Sequence, residues 1–406
     1  MNNSIAPKTV LIAPDKFKGS LTAGEVAEAL AAGLGAATPF GIIGCELLPL
    51  ADGGDGSVDA AVASGFGRYN CTVAGPTGQP VQADIAFDGV TAVVEVANTC
   101  GLAVLPQGDL APMESSSRGF GEAVLFALGL RPVRLVLALG GSSSTDGGMG
   151  MLAALGLRFL DASGLPLPGN GRSLSLVRSV SGSLVPELAD VELILATDVH
   201  NPLCGPNGAP AVFGPQKGCS PADVLTLDAG LTHFVSVLAG PGAAAVGSLI
   251  GRKSQAETAS LAEQPGAGSA GGIGFACLLL GARQVSGADY FLDLLDFDAR
   301  KENCDLVITG EGSIDEQTLA GKLPAAVARR SGTRPIIAVA GRSLLPRERW
   351  AEMSLSRVYA LADYTSMDSS KDPLLSAELL QQIGREIGKS LLDAVTAERS
   401  TRFAQQ

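Results

Sequence analysis

Histidine is scarce. Only His200 and His233 occur in 406 residues, and neither lies in a ligand-spaced cluster, so no zinc site is expected. The seven cysteines are odd in number and form no C-x-x-C pair, which fits reduced thiols in a cytoplasmic protein better than a disulfide frame. No block of lysine or arginine appears and the net charge is −12, which argues against partners such as nucleic acid or an anionic membrane. The first residues, MNNSIAPKTV, lack a basic segment followed by an apolar one, so no signal peptide is expected. The longest weakly charged stretch, residues 135–157, is broken by a Gly/Ser loop and Asp146 and would not span a bilayer. A Walker P-loop is also missing; Gly388-Lys389-Ser390 lacks the first glycine and falls inside a helical pattern. The 52 glycines have no fixed period, which excludes collagen-like and repeat architectures.

What remains is a chain with 46% hydrophobic and 17% charged residues, the composition of a compact protein with a large core. Its length points to two domains. Four times an apolar, strand-like run stops at a loop of glycine, small hydroxyls and carboxylates. CELLPL runs into Ala51-Asp52-Gly53-Gly54-Asp55-Gly56-Ser57, and LVLAL into the Gly/Ser loop 140–148. VELILA runs into Thr197-Asp198-Val199-His200-Asn201, and DLVIT into Gly310-Glu311-Gly312-Ser313-Ile314-Asp315. Short apolar runs read as buried parallel strands, and α/β sheets bind ligands beyond the carboxyl ends of such strands. Carboxylates there suit a hard cation, and glycine amides can approach phosphate closely.

The spacing predicts a strand over 9–13, a helix from Thr22 capped by Thr22 and Glu25, a second strand over 45–50 and a short helix near 58–63. Residues 69–97 then read as three antiparallel strands with turns at Pro76-Thr77-Gly78 and Asp88-Gly89. The βα rhythm returns after about residue 287, with strands near 306–309, 336–340 and 358–361 and a final amphipathic helix over 373–395. The expected fold is α/β with two domains. Residues 1–68 and 288–406 form a discontinuous, doubly wound Rossmann-like or flavodoxin-like domain, and residues 69–287 an inserted mixed α/β domain. Residues 238–271, rich in Ala, Gly and Ser, read as loop-heavy.

Each motif also has a plainer explanation. Asp52 and Asp55 suit magnesium, but Asp-Gly turns and helix N-caps use the same residues. Lys16 and Lys18 precede Gly19-Ser20 and a helix, an arrangement that attracts anions. Loop 140–148 carries four hydroxyls and one carboxylate between glycine pairs, more than a simple turn needs. Gly266-Ala267-Gly268-Ser269-Ala270-Gly271 matches G-x-G-x-x-G, but no strand precedes it, so a dinucleotide site is not expected. Glu311 and Asp315, followed by Gln317, Thr318 and Lys322, suit a metal–phosphate or general-base site, or a well-capped loop. Asp198, with Asn201 close by, is the fourth acidic strand end; Lys217 and Arg342 read more as surface than site.

In order, IAPDKFKGSLTA, PLADGGDGS, LGGSSSTDGGMG, ATDVHNPLCG, FGPQKG, GAGSAGGIGFA and TGEGSIDEQTLAGK resemble the bacterial glycerate kinase family. The resemblance spans about 9–392 and implies ATP-dependent phosphorylation of D-glycerate with magnesium, generally to 2-phospho-D-glycerate, by a cytoplasmic enzyme with its site between two α/β domains. On this basis Asp52, Asp55 and Glu311 are the expected magnesium-linked acids, and Asp198 or Asp315 the base. Lys16 and Lys18 would neutralise phosphate or the glycerate carboxylate. Gly141, Ser142, Ser143, Ser144, Thr145, Asp146, Asn201, Gly312, Ser313 and Lys322 would contact substrate or nucleotide. The expected partners are small molecules, with homo-oligomerisation left open. Two rivals are a kinase for another small hydroxy acid or sugar, and a non-catalytic metabolite-binding regulator.

Overall fold

The computed structural model describes residues 8–37, 42–106, 109–240, 255–319 and 322–404. The chain divides into two compact units, one formed by Met1–Asp52 and Phe291–Gln406, the other by Gly53–Tyr290.

In the first unit five strands form one sheet in the order Arg357–Ala360, Ile336–Ser343, Leu306–Ile314, Lys8–Pro14, Ile43–Leu47. Every neighbouring pair is parallel. In chain order this is the 2-1-3-4-5 arrangement of flavodoxin-like sheets, whose switch point lies between the Lys8–Pro14 and Leu306–Ile314 strands. Alternate side chains serve opposite faces. Val10, Ile12, Ile308, Val339 and Tyr359 pack with Val26, Leu30 and Leu34 from the helix Ala23–Ala37 and with Leu380, Ile383 and Ile387 from the helix Pro373–Ala404. Ile336, Ala338, Ala340 and Val358 join a separate cluster with Ala328 and Met353. Both faces are therefore covered, as an all-parallel sheet requires. The first helix starts with the expected capping box: Thr22 N–H donates to Glu25 Oε2 (2.8 Å) and Glu25 N–H to Thr22 Oγ1 (3.3 Å).

The two long helices approach closely because glycines face each other. A Cβ on Gly33 would lie 2.2 Å from the Gln381 carbonyl oxygen, and one on Gly384 would lie 2.4 Å from that of Leu30. The obstacle is backbone, so it cannot turn aside. Gly384→Ala is expected to cost about 1–3 kcal/mol by overpacking and to lower Tm by several degrees in a thermal melt. An unchanged Tm would show that the helices have room to part.

The second unit holds a six-stranded mixed sheet in the order Arg283–Val285, Glu192–Ala196, Arg134–Ala138, Thr91–Glu95, Pro80–Phe87, Gly67–Ala74. The first four run parallel, and the last three form the antiparallel meander read from the Pro-Thr-Gly and Asp-Gly turns. Its core includes Phe120, Phe159, Phe234 and Phe275. Helix Pro221–Ala239 is the one described helix long and apolar enough to cross a membrane; its Leu227, Leu231, Phe234 and Leu238 pack into this core.

Several boundaries differ from the sequence expectation. The units part at Asp52–Gly53 rather than after residue 68, because the helix Ser57–Ala63 goes with the second sheet: its Val58 N–H donates to Glu95 Oε2 (3.0 Å). The other junction lies at Tyr290–Phe291. The strand expected over 45–50 is Ile43–Leu47, although Leu48 and Leu50 still donate to Ile12 and Pro14 carbonyls. The final helix runs on to Ala404. Of the stretch 238–271, residues 241–254 lie outside the described residues, and Gln255–Glu263 is a helix.

Candidate active site

The register of the first sheet assembles the acidic loops of that unit. Pro14 pairs with Gly310, and Asp15 N–H donates to the Gly310 carbonyl (2.8 Å), so Asp15 sits beside Glu311 at the switch point. On the other side Leu50 N–H donates to the Pro14 carbonyl (2.9 Å), bringing Asp52 to the same end. Three carboxylates thus gather toward the carboxyl ends of three adjacent strands, with Glu311 still within the strand Leu306–Ile314.

Local bonds hold this group in place. Lys16 N–H donates to Asp15 Oδ1 (2.7 Å) and Lys16 Nζ lies 3.8 Å from the same oxygen. The Thr318 hydroxyl donates to Glu311 Oε1 (2.5 Å) while accepting from the Asp315 N–H (3.0 Å). Lys322 Nζ lies 3.8 Å from Glu311 Oε2. Gly312 passes close to the backbone of Lys18, and Ser313 Oγ accepts from Arg342 Nε (3.3 Å). Burial pushes the Asp15 carboxyl up to about 7 against the pull of Lys16, with Asp52 and Glu311 adding to the rise. Burial likewise raises Glu311 to about 7, opposed by the Thr318 hydrogen bond and Lys322 and assisted by Asp315 and Asp52. Carboxyls near neutrality suit proton transfer, and they also suit a bound cation that would restore their charge.

Lys16, Asp52, Glu311, Asp315, Ser313 and Lys322 lie in this part of the first unit, with Lys18 exposed. Asp15 was not singled out from the sequence. Its signal was present: an acid directly after a strand, like the other strand-end carboxylates.

The remaining candidates lie in the second unit. There the strand-end loops pack tightly. A Cβ on Gly53 would lie 2.8 Å from the Ala196 carbonyl oxygen, and one on Gly140 would lie 2.4 Å from Gly54 Cα. Asp55 shares this loop cluster, and Ser57 Oγ donates to the Gly54 carbonyl (2.6 Å). Asp198 accepts from two backbone amides, Gly287 N–H on Oδ1 and Ala288 N–H on Oδ2, both at 3.0 Å. It thereby caps the helix Gly287–Leu294, a structural task that the strand-end position did not reveal. Asn201 Nδ2 donates to the Asn207 carbonyl (2.8 Å), closing its own loop.

Loop 140–148 is turned inward to a degree its composition did not suggest. Gly141 is exposed with φ +73°, while Ser142 through Gly148 are buried. Ser143 Oγ donates to the Cys100 carbonyl (2.8 Å). Asp146 is fully buried and accepts four hydrogen bonds: Ser117 N–H (2.8 Å), Ser117 Oγ (2.7 Å), Gly148 N–H (3.0 Å) and Gly150 N–H (3.2 Å). Burial raises its carboxyl and these donors draw it back down. Asp146 therefore organises the loop from within. The Ser144 and Thr145 hydroxyls are buried with no hydrogen-bond partner among the described residues.

Lys217 is the largest departure from the sequence expectation. In place of a surface cation, the structure has a side chain in a residue only 2% exposed, donating to Ser142 Oγ (2.9 Å) and the Ser144 carbonyl (2.6 Å). Burial lowers its ammonium to about 8, with Asp146 opposing the fall. The glycine motif 266–271 follows a helix, not a strand, and Ala270 and Gly271 are left-handed (φ 52° and 67°), which is no dinucleotide turn.

The chain as a whole is similar to known proteins. The model of the glycerate kinase family matches residues 10–392. A glycerate kinase of Bacillus subtilis is 42% identical over 342 residues, which cover 82% of this chain and 84% of that protein. A glycerate 2-kinase of Escherichia coli is 38% identical over 339 residues, with 82% and 84% coverage. The crystal structure of a Salmonella typhimurium LT2 protein assigned as glycerate kinase 2 has a TM-score of 0.76 and 34% identity over 96% of this chain and 99% of that one. With a parallel sheet that gathers acids and lysines at its switch point, and relatives of this identity over most of its length, the chain belongs to the glycerate kinase family of phosphotransferases.

Proposed function

We propose that the chain transfers the γ-phosphoryl group of ATP to D-glycerate, giving 2-phospho-D-glycerate, with magnesium as the assisting ion. The observation that carries this is the convergence of Asp15, Asp52 and Glu311 with Lys16 and Lys322 at the switch point of the first sheet. Phosphoryl transfer asks mainly for positioning and neutralisation of charge, and this group supplies both.

The donor set fits magnesium. All the candidate ligands are hard carboxylate oxygens, and among the described residues no group of three or more His, Cys, Asp and Glu is close enough to hold a metal unaided. Magnesium commonly takes one or two protein carboxylates and completes its shell with phosphate oxygens and water. Asp52 and Glu311 would hold it; Asp55 belongs to the other unit. The ion would neutralise charge on the transferring phosphoryl group. Lys16 and Lys18 would bind anionic oxygens, and Asp315 remains the candidate base on this unit. Asp198, with both oxygens on backbone amides, acts on the second unit by holding the helix at Gly287.

The phosphorus NMR spectrum of the product from D-glycerate and ATP tests it. A 2-phosphate resonance coupled to the C2 proton is expected, and its absence would refute the assignment. Turnover of another hydroxy acid without turnover of D-glycerate would transfer the chain to a different substrate. A 3-phosphate would correct the position of transfer.

A further inference from the structure

We propose that Lys217 is a positioning residue that makes the Ser142 hydroxyl an oxyanion donor and supplies the positive charge behind it, so that loop 140–145 selects an anionic group of a substrate. This deepens the proposed function and rests on it, since it takes loop 140–145 to meet a substrate.

The argument begins with the inventory of donors. A hydroxyl has one proton and two lone pairs. Ser142 Oγ accepts from the Lys217 ammonium, and its own proton is given to no described acceptor. With a cation on its lone pair, that hydroxyl is polarised and left to donate. Ser142 follows the exposed Gly141, where the loop meets solvent. Behind it Lys217 uses two of its three N–H groups on Ser142 Oγ and the Ser144 carbonyl. No carboxylate among the described residues forms an ion pair with it. Asp146, whose charge it feels, is fully engaged by Ser117, Gly148 and Gly150.

A buried ammonium without a direct counter-ion is costly, and a hydrophobic side chain of similar length would suit a purely structural position better. The unpartnered, fully buried hydroxyls of Ser144 and Thr145 mark the same loop as one whose polar groups are incompletely paired in the free protein. An arriving oxyanion would give Ser142 an acceptor and Lys217 a nearby negative charge. A carboxylate and a phosphate share this chemistry, so the glycerate carboxylate and an ATP phosphate are the two sources to separate.

Steady-state kinetics on the full chain separates them, with each substrate varied in turn for the wild type, Lys217→Met, Ser142→Ala and the double variant. A rise of tenfold or more in KM for D-glycerate alone assigns the carboxylate; the same rise for ATP alone assigns a phosphate. The double variant is expected to be no worse than Lys217→Met, because both substitutions remove one donor system. Unchanged KM values in Ser142→Ala overturn the proposal even if Lys217→Met fails to fold. A fall in Tm with both KM values unchanged in Lys217→Met makes the lysine merely structural and also overturns it. A wild type inactive on D-glycerate would instead defeat the proposed function, which keeps the two failures distinct.

Discussion

Asp146→Ala is expected to lower Tm by roughly 10–30 °C or to abolish folding of the second unit. The carboxylate accepts from Ser117 N–H, Ser117 Oγ, Gly148 N–H and Gly150 N–H in a fully buried setting. Alanine would leave these four donors without an acceptor and beyond the reach of bulk water. An orphaned buried donor costs about 1–3 kcal/mol, so the total is on the order of 4–8 kcal/mol after partial relaxation. In a unit of this size each kcal/mol moves Tm by about 2–4 °C. Two glycines with positive φ, Gly147 and Gly148, show how sharply the chain turns around this acid, and the Gly147 N–H bond to the Gly271 carbonyl (3.0 Å) would remain to hold part of that turn. Thermal melts followed by circular dichroism check the effect. A variant that melted like the wild type and lost only activity would make Asp146 a ligand contact, as its place in the motif first suggested.

Glu311→Gln is expected to reduce kcat by roughly 10²–10³-fold while leaving Tm nearly unchanged. The amide keeps the size of the side chain and can still accept from Thr318 through its oxygen, so the packing at the strand end survives. What is lost is a charge that the site has gathered at a cost. Burial already disfavours the carboxylate, and Asp315 and Asp52 disfavour it further as like charges. Removing one of them therefore relieves the folded protein and weakens only the hold on a cation or proton. Losses of this size are typical when a preorganised electrostatic group is removed from an active site. A kcat within threefold of the wild type would take Glu311 out of the chemistry and leave Asp15 and Asp52 as the working acids.

Both predictions concern residues visible in the sequence, yet they separate into opposite roles. In the sequence Glu311 and Asp146 each come after an apolar run, among glycines and small hydroxyls, and as local patterns they are interchangeable, although the strand Leu306–Ile314 in fact carries Glu311 within it. The difference is the direction each side chain takes. Glu311 sits toward the carboxyl end of a parallel sheet, largely buried among other carboxylates. Asp146 turns back under its loop toward the start of the helix Arg118–Gly129, about thirty residues away in the chain. That partner lies outside any window in which hydrophobic period or turn chemistry operates.

The strands, the antiparallel meander, the Thr22–Glu25 cap and the acidic strand ends were legible because each depends on residues a few positions apart, where period and capping chemistry act directly. The ordered motifs also identified the family, since seven of them in sequence are far more specific than any one. Pairing order, and with it the gathering of Asp15, Asp52 and Glu311, came only with the tertiary structure, because parallel strands exchange hydrogen bonds across nearly 300 residues of chain. Lys217 is the clearest case. In Phe213-Gly214-Pro215-Gln216-Lys217-Gly218 a lysine beside glycine reads as solvated surface, and only the folding of that segment against loop 140–145 makes it a buried cation. Burial is a property of the whole packing, so the local sequence around Lys217 could not reveal it.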